Sequence, residues 1–81
     1  GGPQAAKDIQ YALNRALAVI NEPLVTVNYK FDMEKVDAIA KLLPNHIGMS
    51  KFCEVLAEQR NTLYKASGDI KRVNYFLSAC R

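Results

Sequence analysis

The sequence predicts an all-α domain: a compact bundle of four helices at about 5–20, 33–43, 50–66 and 69–80, with an extended segment at 24–31. Three observations predict it. Apolar residues recur at helical spacing in four stretches. Pro and Gly fall between those stretches, not inside them. Only one run, 24–31, alternates with period two. A chain of 81 residues supports one domain, here residues 5–81, with a small core. The opening Gly1-Gly2-Pro3-Gln4 lacks Met and resembles an expression scar, which is consistent with a helical domain excised from a larger protein.

In the first helix Ile9, Leu13, Ala16, Leu17 and Ile20 form a stripe, with Ala12 between them. Lys7, Asp8, Asn14 and Arg15 lie away from it. Asn21 suits a left-handed stop, and Pro23 prevents continuation. In the next segment Val25, Val27, Tyr29 and Phe31 alternate with Thr26, Asn28 and Lys30, a strand pattern without a second strand to pair with. Its backbone groups need partners. The expectation is a connector lying with its apolar side on the helices. The alternative is pairing with another chain, as a homodimer or by strand addition.

Asp32 is placed to cap the second helix, with Glu34 in its first turn, and Val36, Ile39, Ala40 and Leu43 as its buried face. Pro44-Asn45 ends it, and the stretch 44–48 leads to Ser50 as cap of the third. That third helix carries Phe52, Val55, Leu56 and Leu63 on one arc and Cys53, Ala57 and Tyr64 on another. Two arcs suit a central element with neighbours on two sides. Gly68 and Asp69 suit a stop and a new cap. Ile70, Val73, Leu77 and Cys80, beside Phe76, form the buried face of the last helix, and Lys71, Tyr75 and Ser78 point away.

Composition narrows the function classes. The hydrophobic share is 49%, ordinary for a folded domain. No apolar run is long enough to cross a bilayer, and no secretory signal opens the chain. Cys53 and Cys80 read as buried reduced thiols, which places the chain in the cytoplasm or nucleus. With His46 as the only histidine there is no zinc ligand set, so neither metal nor cofactor is expected. His46, Ser50 and Cys53 are close in sequence, but nothing orients the histidine and no Gly-rich oxyanion or phosphate loop accompanies it. Asp32, Glu34 and Asp37 are explained by a helix start. The expected class is therefore a non-enzymatic binding module.

Charge is uneven. Residues 59–81 hold five basic residues and one acid, net +4, against a whole-chain charge of +3. Arg60, Lys65, Lys71 and Arg72 are candidates to contact phosphates of DNA or RNA, and Tyr75 to stack on a base. Asp69 opposes this, because it sits where a helix N-terminus would hold a phosphate. A helix-turn-helix is disfavoured by the five residues from Pro44 to Gly48 and by the wide apolar surface of the third helix. The alternative function is protein docking or self-association through Val25, Val27, Tyr29 and Phe31, or through the tyrosines Tyr11, Tyr29, Tyr64 and Tyr75. A tyrosine can equally cover the core edge with its hydroxyl in water.

Overall fold

The computed structural model describes residues 3–63 and 70–80. Four α-helices follow one another: α1 Pro3–Val19, α2 Met33–Leu42, α3 His46–Leu63 and α4 Ile70–Leu77, with a 3₁₀ turn at Ser78–Cys80. Among the described residues there is no strand.

α1 begins two residues earlier than the sequence suggests. Pro3 takes the first helical position, where its missing N–H costs nothing, and the Gln4 amide donates to Asp8 at 3.0 Å. Ala5, Ala6, Ile9, Ala12, Leu13, Ala16 and Leu17 are all buried. Four of those seven are alanines, which let neighbouring helices approach closely. α1 packs along α3 and also touches α2 and α4, so it shares the centre with α3. Its end is closed by Asn21 in the left-handed region, φ 58°. The Glu22 N–H donates to the Leu17 carbonyl at 3.0 Å and the Asn21 N–H to Ala18 at 3.3 Å, a Schellman stop that turns the chain towards Pro23.

The connector lies along α1, and helix side chains supply what a neighbouring strand would. The Asn14 amide donates to the Val25 carbonyl at 3.0 Å and accepts from the Val25 N–H at 2.7 Å. One turn earlier, the buried Gln10 donates to the Lys30 carbonyl and accepts from the Asn28 N–H, both at 2.7 Å. Glu34 accepts from the Thr26 N–H at 2.9 Å, and Asn28 Oδ1 from the Lys30 N–H at 2.9 Å. Gln10 and Asn14 stand four residues apart, on one face of the helix. The segment is thus extended without being a strand.

α2 differs from expectation by a rotation. Its buried residues are Lys35, Ala38 and Leu42, while Val36, Ala40 and Leu43 face outward and Ile39 is half-buried. The difference is one residue, about 100° on the wheel. Lys35 causes it. Its side chain is fully buried, and the ammonium lies 3.0 Å from Asn28 Oδ1, 3.4 Å from Asp32 and 3.3 Å from Glu34. Three oxygens supply what a buried ammonium needs. Asp32 does occupy the cap position, but its carboxylate turns to Lys35 and makes no capping hydrogen bond.

α3 starts at His46, so Ser50 lies inside the helix and is exposed. Asn45 is the cap: its side chain accepts from the Gly48 N–H at 2.9 Å, the reach from cap to third residue. Only Leu43, Pro44 and Asn45 separate α2 from α3. Gly48 marks a close approach, since a Cβ there would stand 2.7 Å from the buried Leu42 and 3.2 Å from Ile20. Phe52, Val55 and Leu56 enter the core, and α3 also packs against α4. On α4, Val73 is buried against Ala5 with Leu77 beside it. Phe76 stacks on Phe31 at 5.9 Å between ring centres and meets Phe52 edge-on at 6.3 Å.

Cys53 and Cys80 are joined in a disulfide, which corrects the expectation of two reduced thiols. Their sequence separation of 27 exceeds any short Cys motif, so pairing had no local signature. The expected stop at Gly68 and cap at Asp69, and the side chains of Leu63 and Ile70, lie outside the described residues.

Two outcomes follow for stability. Gln10→Leu strands the Asn28 N–H and the Lys30 carbonyl and should cost about 2 kcal/mol in urea unfolding; no loss would mean those bonds are not held in solution. Reduction, or Cys53→Ser, should lower Tm by roughly 10–20 °C, from about 3 kcal/mol of lost loop constraint. An unchanged Tm under reductant would contradict the bridge.

Candidate docking surface

The rotation of α2 leaves an apolar stripe in solvent. Met33 is 67% exposed, Val36 49% and Leu43 61%, with Ala40 between them. Their spacing of three, four and three residues sets them on one face. The apolar residues of α2 cover a wide arc of its wheel. The core takes the part from Ala38 to Leu42, and the rest has no covering element among the described residues.

The stripe runs into one depression, and a second adjoins that one. Leu43 and Pro44 form one lip of a groove of about 580 Å³, lined also by His46, Met49, Ser50, Ala79 and the Cys53–Cys80 bridge. His46 also borders a second depression of about 410 Å³ with Val19, Ile47 and Ser50. Ile47 is 65% exposed. One helix face and two adjoining hollows thus carry Met33, Val36, Leu43, Ile47 and Val19, every one exposed.

The charges around the stripe are mostly paired. Lys35 engages Asp32 and Glu34, Lys41 lies 3.5 Å from Glu22, and Lys51 lies 3.7 Å from Glu54. Asp37 is exposed beside Met33 and Ala40 and has no ion-pair partner among the described residues.

The sequence-predicted sites are placed as follows. Arg60, on α3, and Lys71 and Tyr75, on α4, are exposed, Tyr75 at 74%. Lys65, Tyr64 and the side chain of Arg72 lie outside the described residues. Tyr75 leans edge-on against Phe76 at 5.7 Å. Of the connector residues, Val25 is core and Val27 is half-buried, and Phe31 stacks on Phe76. Tyr29 is exposed, with the Lys7 ammonium 4.4 Å from its ring centre. His46, Ser50 and Cys53 do meet around the larger groove, but Cys53 is bridged and offers no thiolate.

Met33 and Lys35 were missed by pattern alone. The signal was there, since Lys35 falls on the wheel beside Leu42, but a lysine within an apolar arc reads as a boundary. No described helix is long and apolar enough to cross a membrane. No family model, curated protein or solved structure matches the chain.

Val36→Glu and Leu43→Glu should each change unfolding free energy by no more than about 0.5 kcal/mol, as surface changes do. Leu42→Ala, one residue away, should cost about 2–5 kcal/mol. If Val36→Glu is the costly change, α2 is turned the other way.

Proposed function

We propose that the chain is a non-enzymatic docking module that seats a protein partner on the exposed face of α2 and the groove beside Leu43. The observation that carries this is the stripe itself: Met33, Val36 and Leu43 stay in water although the domain has its own core. Fully covering each such side chain is worth about 1.5–3 kcal/mol. Apolar surface gathered on one helix face and rimmed by polar groups is characteristic of an interaction site. Docking through the connector has less support. Val25 and Phe31 are engaged within the domain, and backbone groups at Val25, Thr26, Asn28 and Lys30 already have partners.

Nucleic-acid binding is kept as a second reading because Arg60, Lys71 and Tyr75 are all exposed. The three-residue link from α2 to α3 is short enough for a helix-turn-helix, but the outer side of α3 carries Glu54 and Glu58, the wrong charge for a recognition helix. The bridge supports a compartment that keeps disulfides oxidised over the cytoplasm or nucleus.

The test is a pair of titrations. A labelled helical peptide with a leucine stripe and glutamine edges should bind, with affinity little changed between ~0.15 and ~0.5 M salt, and should lose binding to the Val36→Glu, Leu43→Glu double variant. A short oligonucleotide should bind weakly or not at all at low salt. Oligonucleotide binding that falls steeply with salt and is removed by Lys71→Ala plus Arg72→Ala, with no peptide binding, would reverse the order of the two readings.

A further inference from the structure

We infer that the Cys53–Cys80 bridge is a thiol-cleavable latch on the groove beside Leu43. Oxidised, it holds the Ser78–Cys80 turn against α3 as one wall of that groove; reduction releases the turn and opens the groove. The release is independent of the docking role, and only its effect on a partner rests on that reading.

The latch follows from where the bridge sits and from what else holds the turn. His46, Met49, Ser50 and Cys53 recur at three- and four-residue spacing along one face of α3, and Ala79 and Cys80 close the groove over them. Both cysteines are half-buried, and the groove they line, about 580 Å³, is of a size that admits a small organic molecule. A thiol therefore reaches the bridge without unfolding of the core.

The turn has little else to fix it to α3. Ser78 and Ala79 are exposed, and no residue of the turn is buried. Among the described elements it packs on α4 and α3 alone. The Ser78 hydroxyl donates to the Tyr75 carbonyl at 2.6 Å, a bond within the end of α4 that gives no hold on α3. α4 is anchored differently. Val73 is fully buried against Ala5 with Leu77 beside it, and Phe76 meets Phe31 and Phe52. Cutting the bridge thus frees the turn and leaves the helix before it in place.

A monothiol of the glutathione class supplies the chemistry. Its thiolate attacks one sulfur of the bridge, the S–S bond breaks, and the other cysteine leaves as a thiolate that takes a proton from water. A second thiolate attacks the external sulfur of the mixed disulfide. The remaining cysteine is expelled and protonated in turn, and the reagent departs as its own disulfide. Two electrons pass from two thiols to the bridge.

The native protein is incubated with glutathione over a range of urea kept below the unfolding transition, and released thiols are trapped with iodoacetamide and counted by mass. The rate of bridge loss should be flat across that range. A rate that climbs with urea in step with the unfolded fraction would mean that the bridge opens only by global unfolding, and would overturn the latch. Amide order parameters from NMR relaxation then locate the change. On reduction those of Ser78–Cys80 should fall from about 0.85 to below about 0.6, while those of Val73–Leu77 stay near ~0.85. The Cys53→Ser, Cys80→Ser double variant should show the same pattern without reagent. A turn that stays rigid, or a loss of order through the whole of α4, would each contradict the inference. The glutamine-edged helical peptide should bind the reduced form about tenfold more weakly, the cost of reordering roughly one or two residues of the wall. Equal affinity for both forms, with the turn released, would overturn control of the groove. Binding to neither form, with the relaxation result as expected, would remove docking and leave the latch standing.

Discussion

The ammonium of Lys35 has to reach Asn28, Asp32 and Glu34 from inside the domain, and the orientation of α2 follows from that requirement. A lysine in a core is costly unless its charge and all its donors are met. Here an amide oxygen and two carboxylates meet them, and the aliphatic stem lies in the apolar interior. Turning the helix to bury Val36 and Leu43 instead would pull Lys35 from these partners and carry Ala38 and Leu42 out of the core. The exposed stripe is the other side of the same arrangement. What makes α2 a candidate docking surface is therefore the electrostatics at its start rather than any loss of packing.

The partners of Lys35 are themselves fixed. Asn28 lies on the connector, whose backbone is held by Gln10 and Asn14 on α1. Glu34 also accepts from the Thr26 backbone, so one carboxylate ties the connector to the first turn of α2. The chain from α1 through the connector to α2 is a single hydrogen-bonded unit. On the far side of the stripe, the Cys53–Cys80 bridge anchors the 3₁₀ turn to α3 and closes one wall of the larger groove. The proposed surface thus sits on backbone held at both ends, a favourable condition for binding because little order has to be gained on association.

Much of the architecture is legible in the sequence alone. The α1 stripe from Ile9 to Leu17, its stop at Asn21, and the extended run at 24–31 follow from spacing, a left-handed residue and period-two alternation, all local signals. The face of α2 was not legible in the same way. Its apolar residues span too wide an arc, and both Val36–Ile39–Leu43 and Ala38–Leu42 are consistent with a buried seam. Choosing between them needs the position of Asn28 relative to Lys35, seven residues apart through a turn. The start of α3 was set by the Asn45 side chain, and Ser50 and Asn45 are chemically equivalent candidates for a cap. The disulfide joins residues distant in sequence, so only the approach of α4 to α3 reveals it. The site was the least legible part, because it depends on which half of one helix the core leaves uncovered.

The orientation of α2, and the exposure of its stripe, depend on Lys35 being inside. Brief acylation of the native protein with an amine-reactive reagent, read by peptide mass spectrometry, measures this residue by residue. The prediction is that Lys35 stays unmodified while Lys30, Lys41 and Lys71, all exposed, are labelled, and that Lys35 joins them only after unfolding. Labelling of Lys35 at the same rate as those three in the folded protein would contradict the orientation of α2 and with it the exposed stripe.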